Sequence, residues 1–204
     1  MKRLAIVAAL VLLAGCKALP DKPVRQVMYD FGPVPSVETA TTQRGALILP
    51  DVEVNGILET PSLLYRLGYE DPHQLRPYAF SRWTAPPAQL LMQRLRDVLG
   101  RERPVLDPAA GSAISRRGGT PPAMLRVELE EFSQLFDSPA TSRGVVRVRC
   151  TLLESTANGD RVVAQRSFAV ERPAPSADAP GGVRALTAAT DAAAQDIAAW
   201  LRQR

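Results

Sequence analysis

The sequence predicts an α+β fold: a predominantly antiparallel or mixed sheet with two helices packed on one face. Three observations carry that expectation. Leu125, Val127 and Leu129 alternate with Arg126, Glu128 and Glu130, and Val146, Val148, Cys150 and Leu152 alternate with Arg147, Arg149 and Thr151. A period of two is the signature of a strand buried on one face. Asn158-Gly159 joins two such stretches, residues 143–155 and 161–171, and both residues tolerate the positive φ of a tight hairpin turn. Only two stretches repeat at helical spacing. The order strands, helix, strands, helix then places a sheet under a helical layer. A chain of 204 residues with 46% apolar content suits one domain with an ample core.

The N-terminus stands apart from that domain. Lys2 and Arg3 precede an unbroken apolar run, residues 4–13, and then come Ala14, Gly15 and Cys16. The run is too short for a membrane-spanning helix, which needs about 20 residues. It resembles a bacterial lipoprotein signal peptide that ends in a lipobox. The resemblance implies cleavage before Cys16, diacylation of its thiol and acylation of the new amine. Residues 1–15 are then a cleaved signal, residues 16–23 a lipidated polar tether carrying Pro20 and Pro23, and residues 24–204 a single domain. Lys17 follows the cysteine, where an aspartate would resemble an inner-membrane retention signal. Its identity implies the outer membrane, with the domain facing the periplasm.

Charge and cysteine content narrow the function. The formal charge of +4 falls to +2 without Lys2 and Arg3, and the basic residues are scattered among acidic ones. That is not a nucleic-acid footprint. Two cysteines in an exported protein ordinarily suggest a disulfide. Lipid on Cys16 leaves Cys150 alone, and its place on the Val146/Val148/Leu152 face makes it a small buried core residue.

The domain's elements follow in order. Residues 24–31 read as a first strand with Val27 and Tyr29 on one side, and residues 32–42 are turn-rich. Residues 45–54 form the next strand, with Leu47, Leu49 and Val52 inward. Residues 58–69 continue as extended chain around Pro61. In residues 74–83, Leu75, Pro77 and Phe80 lie among polar residues, and Pro77 argues for an edge strand or a bulge. Ala85-Pro86-Pro87 opens a helix with Thr84 as N-cap, because proline costs no hydrogen bond in a first turn. Ala88, Leu91, Leu95 and Val98 trace its inner face, Gln89, Gln93 and Arg96 lie opposite, and Gly100 stops it. Residues 101–122, with Gly111, Gly118, Gly119, Pro121 and Pro122, look least structured. After the three strands, residues 173–180 form a loop. Val183, Leu186, Thr190, Ala193, Ile197 and Trp200 then line the inner face of a last helix, with Arg184, Thr187, Asp191 and Gln195 outside.

Several of these stretches line up with one family. Ser62-Leu63-Leu64-Tyr65-Arg66 is followed by Tyr78 and by Arg82-Trp83-Thr84-Ala85-Pro86-Pro87. A strand leads to Phe132, Phe168 precedes Pro173, and an Ala-rich helix ends in Trp200-Leu201. This pattern resembles the ABC-type transport auxiliary lipoproteins, the PqiC/YmbA-like group, over nearly the whole mature chain. Val27-Met28-Tyr29-Asp30 departs from the Tyr-x-Leu-like strand that members often carry. The resemblance implies a non-enzymatic, outer-membrane-anchored partner of an ABC transporter with an MCE-domain periplasmic protein, in a system moving lipid between membranes. Docking to that MCE protein is the implied role, and a homo-oligomeric ring matching a multisubunit tunnel is a further expectation. A lipoprotein that itself carries a lipid or other hydrophobic ligand, in a pocket between sheet and helices, is the alternative.

The residues with a chemical role are few. Cys16 holds the outer-membrane lipid anchor, in which each buried CH₂ contributes roughly 0.8 kcal/mol and two chains suffice for stable attachment. Tyr65, Arg66, Tyr78, Arg82 and Trp83 are the candidate partner-binding residues, because aromatics and arginines dominate interface hot spots. The competing reading packs Trp83 under the first helix, with Arg82 snorkelling or paired with an acid. His73 is the single histidine. It has no Gly-x-Ser-x-Gly nucleophile motif beside it and no Cys/His cluster, so no catalytic, metal or cofactor site is expected.

Overall fold

The computed structural model describes residues 25–33, 44–54, 56–116, 119–156 and 159–204. The signal, Cys16, the tether, Val24, most of the turn-rich stretch after Gly32, Gly118 and Asn158 of the expected hairpin lie outside the described residues.

The frame is a long antiparallel meander of β6 (Ala123–Ser138), β7 (Thr141–Thr156) and β8 (Gly159–Pro173). Gly159, the second residue of the predicted turn, has φ +109, a backbone conformation reserved for glycine. Along its other edge β6 receives two separate groups of short strands. Near its start it pairs in parallel with β2 (Leu47–Ile48), which pairs in parallel with β5 (Val105–Leu106). Near its end it pairs in parallel with β3 (Ser62–Leu67), with Tyr65 opposite Gln134. β3 pairs antiparallel with β4 (Arg76–Trp83), and β4 pairs in parallel with β1 (Val27–Tyr29). The sheet is therefore mixed, and antiparallel in its long strands.

Three helices complete the fold among the described residues: α1 (Pro87–Leu99), α2 (Pro108–Arg116) and α3 (Ala179–Arg202). α3 packs along β7 and β8, and α1 packs against α3. The inner face predicted for α3 is the observed one, since Val183, Leu186, Thr190, Ala193, Ile197 and Trp200 are all buried. Its small residues let it sit close to the sheet. A Cβ on Gly144 of β7 would stand 2.6 Å from the Leu186 nitrogen. Trp83, Phe132, Leu91, Leu186 and Ile197 fill the space between sheet and helices, and all belong to one hydrophobic cluster.

Several boundaries differ from those expected. Residues 101–122 are not bare loop, because β5 and α2 lie within them. Asp107 caps α2 by accepting from the Ala110 N–H at 2.7 Å, and Pro108 occupies its first turn. Gly111 is a contact glycine, since a Cβ there would meet Ile48 Cδ1 at 2.3 Å. The stretch 58–69 begins not as strand but as a 3-10 turn, Gly56–Glu59, before β3. Thr84 does not cap α1. Its N–H bonds the Tyr29 carbonyl at 2.8 Å and prolongs the sheet, so Pro86 takes the N-cap position without a side-chain bond. α3 starts at Ala179, earlier than its apolar stripe, because Asp178 accepts from Gly181 N–H at 2.7 Å. β4 is flanked on both sides. Pro77 is accommodated by a bulge, the register shifting between Ser62↔Arg82 and Leu64↔Pro77.

Candidate partner-binding surface

The β3–β4 pair brings together the residues singled out in the sequence, and strand alternation then divides them. Trp83 is fully buried. Its ring meets Phe31 and Phe132 edge-on, with centroids 5.5 and 5.6 Å apart. Its indole Nε1 has no hydrogen-bond partner among the described residues. Trp83 therefore packs as core and offers a partner no surface. Arg82, one residue back on the strand, is exposed and makes no side-chain ion pair among the described residues.

Tyr65 and Tyr78 face each other across β3 and β4 with ring centroids 4.6 Å apart, and Phe136 lies 6.0 Å from Tyr65. The Tyr78 hydroxyl donates to Gln134 Oε1 at 2.8 Å. Gln134 is fully buried, and its Nε2 donates to Ser142 Oγ at 2.8 Å and to the Asp178 carbonyl at 3.1 Å. Tyr78 thus belongs to a polar tie joining β4, β6, β7 and the start of α3, with the Tyr65 ring packed against it. Burial, then the neighbouring Tyr65 and Asp178, push the Tyr78 phenol above its usual range and keep it a neutral donor.

Arg66 is half-buried. Its Nη2 lies 3.3 Å from Glu131 Oε2 and its Nη1 donates to the Pro72 carbonyl at 3.3 Å, which fixes the turn between β3 and β4. Glu131 also faces Arg147 at 3.8 Å, part of a ladder of Arg and Glu pairs across β6 and β7. That ladder is the solvated face of the sheet, and each exposed pair adds little to stability.

The exposed outcrop is made instead by neighbours that sequence reasoning had not grouped. Met28 of β1 pairs with Arg82 of β4, and Phe80 projects from the bulge two residues earlier. Met28 and Phe80 are each 52% exposed, and Val27 is 46% exposed. A bulge re-aims side chains at a sheet margin. The signal for it was Pro77, read for its effect on pairing and not for the side chain it displaces. Sequence reasoning also missed Arg94, which is only 6% exposed. It reaches Phe31 O at 3.1 Å and stands 3.1 Å from Asp191 Oδ1 without hydrogen-bond alignment, so it ties α1 to α3.

His73 sits on the exposed turn after β3, where its N–H bonds Asp71 Oδ1 at 2.9 Å. Among the described residues no three His, Cys, Asp or Glu side chains converge as metal ligands. No described helix is long and apolar enough to cross a membrane.

This α+β architecture is shared with several solved structures. Protein XCC0632 from Xanthomonas campestris is 20% identical, with a TM-score of 0.65 over 87% of this chain and 92% of that one. A second crystal structure, of an uncharacterized protein, is 16% identical, with a TM-score of 0.62 over 87% of this chain and 99% of that one. The hypothetical protein CT253 from Chlamydia trachomatis is 10% identical, with a TM-score of 0.50 over 78% of this chain and 95% of that one. No curated protein matches the chain. The class is thus a mixed-sheet domain found in other bacterial proteins. The chain belongs to the ABC-type transport auxiliary lipoprotein component family, which it matches over residues 29–198. It is an auxiliary component of an ABC transport system.

Proposed function

We propose that this protein is a non-enzymatic, outer-membrane-anchored lipoprotein that docks to the periplasmic MCE subunit of an ABC-type lipid transport system. The observation that carries the docking is the outcrop of Met28, Phe80 and Arg82, exposed on a sheet margin whose other side is locked by buried Trp83. Arginine and large apolar side chains on a rigid support supply buried area and directed hydrogen bonds to a partner. Cys16, cut and acylated, anchors the chain. The eight residues from Cys16 to Pro23 form a tether that, at no more than ~3.5 Å per residue, reaches roughly 28 Å. Tyr65, Arg66 and Tyr78 serve docking indirectly by holding the β3–β4 pair in place.

The test is a pull-down from detergent-solubilised membranes with the lipidated protein and its Cys16→Ala, Phe80→Ala and Arg82→Glu variants. Phe80→Ala and Arg82→Glu are expected to lose the MCE subunit while remaining in the outer membrane, and Cys16→Ala to lose membrane attachment. Unchanged recovery of the MCE subunit with both surface variants would move docking elsewhere on the domain.

A further inference from the structure

β8 pairs with β7 alone, so its other side is a free edge of the sheet among the described residues. The Ala174 N–H donates to the Ser142 carbonyl at 2.8 Å. Residues of an antiparallel pair alternate between those that exchange backbone bonds and those that do not. In the observed register Arg166, Phe168, Val170 and Arg172 therefore direct their backbone groups at β7, and Gln165, Ser167, Ala169 and Glu171 turn theirs outward. The open stretch has definite ends. At its start Leu152 pairs with Ala164 and Leu153 with Val162, so Val163 bulges. At its end Pro173 has no N–H. Between them stands neither proline nor lysine, the residues that commonly guard an edge. The outward Glu171 carbonyl accepts from its own neighbour, Arg172 Nη1, at 2.9 Å.

The side chains along this edge specify what fits. Phe168 and Val170 are buried, and the Phe168 ring meets Trp200 of α3 edge-on with centroids 5.9 Å apart. Arg166 and Arg172 share that face, one at each end of the apolar pair, and both are exposed. Arg166 Cζ stands 5.0 Å over the Phe168 ring. Neither arginine makes an ion pair among the described residues. Glu171 lies on the other face, with its Oε2 2.9 Å from Arg143 Nε. Two unpaired cations thus flank two apolar side chains at the period of a strand. A second copy of β8 fits this edge poorly. Centred on Ala169, it would set Arg166 against Arg172 at both ends, and like charges opposite each other destabilise a strand pair.

We infer that the edge of β8 from Gln165 to Glu171 takes an extended segment of another protein as an added strand. That segment carries acidic side chains opposite Arg166 and Arg172 and apolar side chains opposite Phe168 and Val170. Its pattern, acid-x-apolar-x-apolar-x-acid, reads the same in both directions. Main-chain bonds to Gln165, Ser167 and Ala169 supply the attachment, and the alternate side chains supply the specificity. The edge contains none of Met28, Phe80 or Arg82, so it stands or falls apart from the docking surface.

The experiment is a fluorescence anisotropy titration of the full-length lipidated protein in a non-ionic detergent. The probe is the fluorescein-labelled peptide Thr-Glu-Thr-Val-Thr-Val-Thr-Glu-Thr. It is compared with a peptide carrying Lys at both Glu positions and with one carrying Pro at the central Thr. The Glu peptide is expected to bind roughly tenfold more tightly than either. Arg166→Glu/Arg172→Glu is expected to reverse the ranking of the Glu and Lys peptides. Ala169→Pro removes an outward N–H that β7 does not use, a change an edge strand tolerates, and is expected to abolish binding. The charge reversal alters only exposed side chains, so it decides the matter if Ala169→Pro lowers the melting temperature. Equal binding of the Glu and Pro peptides, no binding of either, or an unchanged ranking in the charge-reversed variant would overturn the inference. An oligomer of the free protein that Ala169→Pro dissociates in sedimentation would give the edge to a second copy and overturn it as well.

Discussion

Gln134 Oε1 occupies a point only 2.0 Å from where a Cβ on Gly182 would stand, so β6 and the first turn of α3 meet with no room for a side chain. Alanine at an exposed helix position ordinarily gains about 1 kcal/mol over glycine. Here the sign reverses. Gly182→Ala must displace a fully buried amide that holds Tyr78, Ser142 and the Asp178 carbonyl together, at a cost on the order of 1–3 kcal/mol. A lowered urea midpoint with an unchanged slope would match this, and a raised midpoint would contradict it.

The same helix start confers a pH dependence. Asp178 has its carboxyl pKa lowered, first by the Ser176 hydroxyl and then by the Gly181 N–H. A carboxylate with a depressed folded pKa contributes stability above its unfolded value, about 3.9, and loses it as pH falls through the folded value. Asp178→Asn keeps a capping oxygen, so it is expected to flatten the stability profile below pH 4 and to change little at pH 7. Asp178→Ala removes the cap and is expected to cost about 1 kcal/mol at pH 7. Thermal melts from pH 3 to 7 on the three proteins distinguish these effects.

Adjacent residues on β4 should fail in different ways. Trp83→Ala empties a site enclosed by Phe31 and Phe132 and is expected to lose about 3–5 kcal/mol. Arg82→Glu alters an exposed side chain and is expected to leave stability within about 0.5 kcal/mol. Chemical denaturation beside the pull-down tests this separation. Loss of stability with Arg82→Glu would mean that its effect on docking was indirect.

Cys150 is fully buried on the inner face of β7, and burial pushes its thiol up to about 12. Maleimide at pH 8 is expected to leave the native protein unlabelled at Cys150 and to label it in urea. Rapid native labelling would show that β7 opens locally.

The sequence made the long strands legible because each buries one face: the alternation of Leu125, Val127 and Leu129 survives in the structure, as does the Cys150 face. The α3 stripe was equally plain. What escaped was set by contacts distant in sequence. β5 at two residues and α2 at nine are too short to show a period, and Gly111 reads as a breaker until Ile48 is seen against it. Thr84 looked like a cap because nothing local reveals that its N–H is committed to Tyr29. Of the residues chosen for partner contact, alternation alone divides Arg82 from Trp83, but the bulge that exposes Phe80 depends on how β4 pairs with β3.

The two groups of strands on one edge of β6 also impose an order of assembly. β2 pairs with Ala123 and Met124, and β3 with Gln134 through Phe136, some 70 residues further along the chain. The meander and α3 close mostly through near neighbours, whereas the β1–β4–β3 and β2–β5 groups cannot join the meander until β6 exists. Contacts of long sequence separation form late. A chain that emerges N-terminus first must therefore keep these two groups waiting, unjoined to each other, for a template made after them. The apolar segments around Leu47 and Leu63 are the ones a holding chaperone would have to shield in that interval.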